Sequence, residues 1–206
     1  MLLLALQLAL PDTLWVRPID RPLSLAPIID SVSLGSPQVR IRTGQGTALV
    51  WLLRARDTVF LAASIPDSTF YWGDDFVVSL DASGDAADQP QHDDFQLYFR
   101  RVLDSSVVYR GRRGRWEPPR DDPDWRLGQE RSGGGWEVSG RSDRQGWRLL
   151  LRLDPAWFTA SSDRLPRIAF RIYDNDPGGW FSWPAAAGSQ PTEVERTPSA
   201  WVPVRP

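Results

Sequence analysis

Proline and glycine punctuate this chain at short intervals, and no long helical pattern appears between them. There are 18 prolines and 16 glycines in 206 residues, and past Pro11 most of the stretches they bound are short. A helix needs about a dozen uninterrupted residues before it is worth forming, whereas about four to eight suffice for a strand. Within the short stretches apolar and polar residues alternate, which is the pattern of strands with one buried face. Strands are predicted over 47–54, 57–65, 75–80, 95–103, 106–110, 136–141, 147–153 and 167–173, the first two joined by a tight connection at Ala55-Arg56. In 147–153, Trp147, Leu149, Leu151 and Leu153 fall on one face and Arg148, Leu150 and Arg152 on the other. That arrangement suits a sheet packed against a second layer. Asp154 followed by Pro155 reads as an N-cap and first position of one helical turn. No internal repeat of fixed period is present. The fold class expected is all-β, a two-sheet sandwich.

A chain of this length, 41% hydrophobic, builds one core. The expected organisation is a possible export segment over residues 1–11 and a single domain over 12–206. The opening run MLLLALQLAL is too short to cross a bilayer as a helix and resembles the apolar part of a signal sequence, although it has no basic residues before it. The formal charge is -2, and the chain contains no lysine, so all 24 basic residues are arginine. With no cysteine there is no disulfide, no thiolate nucleophile and no cysteine-bound zinc. The segment 111–135 interleaves arginines with Trp116 and Trp125, but Asp121, Asp122 and Asp124 offset the charge locally. It is expected to be a long exposed connection, not a nucleic-acid surface. Only five of the 26 acidic residues are glutamates, the aspartates sit in turn-like clusters, and the lone His92 has no nucleophile motif near it. Nothing in this pattern calls for catalysis, although a glycosidase pair of carboxylates stays open as an alternative.

Eleven tryptophans then need sorting. Trp51 and Trp147 lie inside strand patterns and are expected in the core. Trp72, Trp180 and Trp183 stand beside Gly, Asp and Pro in loops, where an exposed ring needs a reason. Around Trp72 the chain reads FYWGDDFVVSLDASGD, residues 70–85, a stretch that puts aromatic and acidic groups together at the mouth of a strand. A flat ring suits the C–H face of a pyranose, and carboxylates, amides and guanidinium groups bond its hydroxyls. Asp74, Asp75 and Asn175 are placed to supply such groups. Asp74-Asp75 is also expected to order the start of the strand. Oxygen ligands at alternate positions make calcium possible at Asp81 and Asp85, with Ser83 between them, and at Asp174 and Asp176. Asx turns explain the same clusters.

The succession PIID at 27–30, then LLRARDTVFLAASIPD, YWGDDFVVSLDAS, HDDFQLYF and IAFRIYDNDPGGWFSW resembles the family 9 carbohydrate-binding modules and related extracellular domains. The resemblance covers nearly the whole chain after Pro27. It implies an antiparallel two-sheet, jelly-roll-like β-sandwich, non-catalytic binding of oligosaccharide or polysaccharide, often calcium, and a secreted or periplasmic setting. Carried over, Trp72 falls at one wall of the family's aromatic clamp and Gln96 at its hydroxyl-bonding glutamine. Val77 stands where the family has a glutamate. PTEVERTPSAW offers no aromatic at the second wall before Trp201, so Trp180 or Trp183 is expected to substitute. Some relatives hold haem between methionine and histidine; with Met1 the only methionine and His92 the only histidine, no haem is expected. Val77 and the missing clamp aromatic also admit a different reading, an envelope interaction or structural module that keeps the sandwich, has lost the sugar site and docks a protein partner.

Overall fold

Alternation along one strand buries a single face, so the chain's strands close into a core only by pairing into two layers. The computed structural model describes residues 13–24, 34–71, 73–101, 107–117, 136–159, 163–176, 178–187 and 198–206. In chain order the strands are β1 (Leu14–Trp15), β2 (Arg17–Pro18), β3 (Val39–Arg42), β4 (Thr47–Ala55), β5 (Thr58–Pro66), β6 (Asp75–Asp81) and β7 (Asp94–Arg100). There follow β8 (Val107–Arg112), β9 (Arg115–Glu117), β10 (Trp136–Asp143), β11 (Gly146–Leu153), β12 (Arg167–Asp174), β13 (Gly179–Trp183) and β14 (Val202–Arg205). The eight-stranded sheet runs β1-β14-β12-β6-β7-β8-β9, with β13 also on β12. The six-stranded sheet runs β10-β11-β5-β4-β2, with β3 also on β4. The all-β two-sheet sandwich expected from the sequence is the fold.

The shared core lies between the layers. Phe76, Val78 and Leu80 of β6, Phe95, Leu97 and Phe99 of β7, and Ile168, Phe170 and Ile172 of β12 face Val50, Leu52, Val59, Leu61, Ala63, Ile65 and the β11 row Trp147, Leu149, Leu151 and Leu153. Each such large apolar side chain contributes about 1.5–3 kcal/mol when fully buried. Leu150, the odd apolar residue on the other face of β11, joins Trp51, Leu53, Phe60, Ala62 and Leu34 in a second apolar layer outside the six-stranded sheet. There the Trp51 indole N–H donates to the Gly35 carbonyl at 2.9 Å.

Four features differ from the sequence reading. The sheets are mixed rather than purely antiparallel, because the N-terminal segment runs parallel to β14 as β1 and, after Val16, parallel to β4 as β2, stitching one layer to the other. The β4–β5 turn is centred one residue later than expected, on Arg56 and Asp57, with Ala55 opposite Thr58 and φ of 51° at Arg56. Residues 111–117 are not a loose connection: β8 turns into β9 at Arg113-Gly114, whose φ values of 50° and 77° are those of a tight hairpin turn. Gly179–Trp183, expected within a loop, pairs with β12 as β13. The expected helical turn is present over Pro155–Phe158, capped by the Asp154 carboxylate on the Ala156 N–H. No helix among the described residues is long and apolar enough to cross a membrane.

Candidate functional site

In β6, β7 and β12 the residues between the core positions are not surface-like. Val77, Ser79, Gln96 and Arg171 are each 1% exposed or less, although they point away from the shared core. Register places them in rows on the outer face of the eight-stranded sheet, because residues directly opposite across strands share a face. One row reads Trp180, Tyr173, Asp75, Arg100. The next reads Ser182, Arg171, Val77, Tyr98, Val107. A third holds Ala169, Ser79, Gln96, Tyr109, and a fourth Arg167, Asp81, Asp94.

The middle of this face is a buried cation among half-buried rings. The Arg171 guanidinium lies 5.0 Å from the centre of the Trp180 ring and 5.8 Å from that of Tyr98, and Nη2 donates to the Tyr98 hydroxyl at 3.2 Å. Tyr173 packs on Trp180 with centroids 5.0 Å apart, and Tyr109 meets Tyr98 edge-on at 5.3 Å. Beside them Ser79 Oγ, Gln96 Nε2 and Ser182 Oγ are buried with no hydrogen-bond partner among the described residues. Each such group costs about 1–3 kcal/mol unless something bonds it, so a cluster of them marks a place where a ligand or ordered water completes the structure. Burial pushes the Asp75 carboxyl up to about 6, against the pull of Arg100, whose Nε is 3.5 Å away.

The loop leading into β6 is fastened separately. Arg101 is nearly enclosed, and its Nη1 donates to Asp67 Oδ2 at 2.7 Å, to Asp74 Oδ2 at 3.3 Å and to the Thr69 carbonyl. Asp74 also accepts from the backbone N–H of Tyr71 and of Asn175, both at 3.2 Å, which ties this loop to the β12–β13 turn. Asp74 therefore orders the start of β6, as expected, and its oxygens are taken up in doing so. Burial raises its carboxyl to about 6. Phe70, 65% exposed, lies over the Arg101 guanidinium at 4.9 Å. Trp72 lies outside the described residues.

Of the remaining residues named from the sequence, Gln96 and Trp180 fall on the one outer face, with Asp75 at its margin. Asn175 is exposed in the turn beyond that margin and contributes its backbone N–H to Asp74. Trp183 is a correction: it sits opposite Phe170, stacks on it at 5.7 Å and is 7% exposed, so its ring belongs to the core. It stands three positions after Trp180, and an odd step along a strand reverses the face. Trp201 packs with Ala187 on Ala169, which shares a row with Ser79 and Gln96, and against Trp116, as a buried ring. Arg171, Tyr98, Tyr173, Ser79 and Ser182 were not singled out from the sequence. The signal that finds them is parity: they share a face with Gln96 or with Val77 once strand register is known.

The acidic residues regroup. Asp174 gathers with Asp67 and Asp74, where Arg101 and Gln45 already supply donors, while Asp176 gives its N–H to Asp174 in an Asx turn. A guanidinium thus occupies the cationic role at that end. Asp85 forms an Asx turn to the Ala87 N–H. Asp81 instead gathers with Asp93 and Asp94. Asp81 accepts from the N–H of Gly84 at 2.6 Å and of Ala86 at 3.0 Å, and Asp94 Oδ2 from Gln91 at 2.7 Å, but the other oxygen of Asp94 is buried without a partner among the described residues. Burial and the neighbouring carboxylates push Asp94 up to about 8. A hard divalent cation fits these oxygens, since it would bond the orphaned oxygen and remove the repulsion.

No protein-family model matches the chain, and no curated protein matches it. Among solved structures, the fold is similar to that of a family 9 carbohydrate-binding module from Caldicellulosiruptor kristjanssonii in complex with cellotriose. That match has a TM-score of 0.60 and 12% identity, covering 94% of this chain and 92% of the other. A family 9 carbohydrate-binding module from the same organism in complex with glucose matches with a TM-score of 0.57 and 12% identity, over 94% of each chain. At that identity the likeness is one of fold.

Proposed function

We propose that this chain is a single-domain, non-catalytic carbohydrate-binding module whose sugar seats on the outer face of the eight-stranded sheet. The observation that carries the reading is the conjunction on that face of half-buried rings, Tyr98, Tyr173 and Trp180, with Ser79 Oγ, Gln96 Nε2 and Ser182 Oγ, buried atoms that have no hydrogen-bond partner among the described residues. Rings take the C–H face of a pyranose, and the polar atoms take its hydroxyls. The fold it shares with modules solved in complex with cellotriose and glucose supports the same reading. In this reading the module works outside the cytoplasm, in keeping with the apolar run over residues 1–10, and the Asp81, Asp93 and Asp94 carboxylates hold a calcium ion that fixes the β6–β7 turn. A second reading, a protein-docking module that has lost its sugar site, is favoured by Val77: fully buried and aliphatic, it offers no acceptor where the resemblance places a glutamate.

The test is isothermal titration of the purified chain with a panel of neutral and acidic oligosaccharides, repeated with Trp180→Ala and Gln96→Leu. Binding of at least one sugar, weakened roughly tenfold or more in each variant with the fold retained by circular dichroism, supports the sugar face. No binding by any sugar transfers the weight to the docking module.

A further inference from the structure

We propose that the outer face of the six-stranded sheet is a second binding surface, a trough that takes an anionic polysaccharide. It lies on the opposite side of the sandwich from Trp180 and Gln96 and does not rest on the sugar reading of that side. Register sets out its residues. One row crosses the sheet as Arg141 on β10, Arg148 on β11, Ser64 on β5, Leu49 on β4 and Arg40 on β3. Two residues along each strand, on the same face, the next row reads Asp143, Gly146, Pro66, Thr47 and Arg42. Arginines thus stand on both sides of a strip of mostly small residues, and Arg148 and Arg40 are three strand spacings apart, about 14 Å. A cavity of about 130 Å³ opens in the strip, lined by Thr47, Ser64, Pro66, Gly146 and Arg148, with Asp143 and Gln145 beside them.

The charges here are out of balance. Arg141 and Arg148 stand directly opposite each other across β10 and β11, where like charges repel. Arg40 and Arg42 repeat the repulsion along one face of β3, about 7 Å apart. The side chains of these four have no hydrogen bond, ion pair or ring contact among the described residues. In the two rows they face one carboxylate, Asp143, one of whose oxygens accepts the Gln145 N–H at 2.8 Å. Further along the same face Arg152 has the ordinary remedy, an ion pair with Glu137 opposite it. The nearby acids Asp67, Asp74 and Asp174 are buried and gathered about Arg101 and Gln45. A guanidinium fork grips the paired oxygens of a sulfate, phosphate or carboxylate, so an anionic chain laid along the trough would relieve both repulsions. The strip decides the kind of chain. Its Thr47, Ser64, Asp143 and Gln145 bond hydroxyls. The exposed large apolar residues of the described chain, Trp15, Phe70 and Tyr71, belong to none of these five strands. The strip therefore offers no ring for a base to stack on and no wedge for a bilayer. A polymer that carries hydroxyls between its oxoanions matches it.

The experiment is titration of the purified chain with dextran sulfate and with polygalacturonate, with neutral dextran and single-stranded DNA as references, over a range of salt. It is repeated with Arg141→Gln/Arg148→Gln, with Arg40→Gln/Arg42→Gln, and with a control pair, Arg56→Gln/Arg113→Gln, whose exposed arginines lie in turns away from the trough. At least one anionic glycan should bind, neutral dextran should not, and salt should weaken the binding. Each trough pair should lower the affinity about tenfold or more and flatten its salt dependence, while the control pair leaves both in place. Binding of neither anionic glycan overturns the proposal, as does equal binding of neutral dextran or equal weakening by trough and control pairs. Single-stranded DNA that binds more tightly than either glycan overturns it in favour of a nucleic-acid surface. Should one trough pair fail to fold, the other, on separate strands, decides. The sugar reading of the other sheet stands or falls on its own titration.

Discussion

Trp180 and Trp183 lie on one five-residue strand and look alike in sequence, each beside a small or polar neighbour, yet one lies over a cation on the outer face and the other is stacked inside the core. Their difference is a matter of parity, and it has separable consequences. Trp183→Ala leaves a cavity against Phe170 and should cost about 3–5 kcal/mol of stability. Trp180→Ala removes a half-buried ring and a cation–π contact, should cost far less, and should instead lower sugar affinity. Urea unfolding and sugar titration of the two variants side by side check this. Equal destabilisation by both would mean that Trp180 is a structural cover for Arg171 and not a binding ring. The buried polar residues make the same point about residue-level environment. Arg101 and Arg171 are both almost completely enclosed, but Arg101 has two carboxylates and a backbone carbonyl around it, whereas Arg171 lies between aromatic rings beside unbonded donors. The first arrangement fastens a loop; the second packs a cation among the rings of the outer face.

At the scale of elements, the strands with regular alternation were legible before any coordinates. The β11 row of Trp147, Leu149, Leu151 and Leu153 lies on the core as its spacing demands, and Asp154-Pro155 caps the turn that follows. What resisted was of two kinds. Arg113-Gly114 makes a hairpin turn with an arginine at positive φ, a conformation usually flagged by Asn or Gly, so the sequence there does not distinguish β9 from a loop. β13 follows DNDPGG and carries two tryptophans and a phenylalanine in five residues, which hides its alternation. The site was legible only in part for a related reason: Gln96 and Trp180 could be named singly, but which residues stand opposite them depends on register, and register is fixed by pairing partners distant in sequence. The β6–β7 turn shows the same limit. Alternate spacing suggested Asp81 with Asp85, whereas folding brings Asp93 and Asp94 to Asp81 from the far side of the turn, where Gly84, at φ 68°, lets the chain pass the Leu165 carbonyl too closely for any side chain. If calcium is held there, it stabilises the folded chain by mass action, by about 2.7 kcal/mol at a hundredfold excess over its dissociation constant. The melting temperature should therefore rise with calcium over chelator in the wild type, and the rise should disappear in Asp81→Asn. An unchanged melting temperature would remove calcium from this turn.

For the molecule as a whole, the shifted carboxylates move in one direction. Burial raises Asp74 and Asp75 to about 6 and Asp94 to about 8, and Asp81 and Asp174 shift upward for the same first cause. A carboxyl whose pKa is higher in the folded than in the unfolded state binds more protons when folded, so folding is favoured where it is protonated and loses that advantage as pH rises through the folded value. The window opens near the ordinary carboxylate pKa of about 4. It extends to about 6 for Asp74 and Asp75 and to about 8 for Asp94. In chelator, and at an ionic strength that screens the surface arginines, the free energy of unfolding should thus fall steadily between pH 4.5 and 8. Asp75→Asn, which removes one titrating group while leaving the Arg101 fastening of Asp74 in place, should flatten the part of the curve below pH 6 and leave the part above it intact. Denaturant titrations at half-unit pH steps measure both slopes. A stability that climbs over the same interval would mean that these carboxylates are ionised and paired in the folded chain, against the burial that raises them.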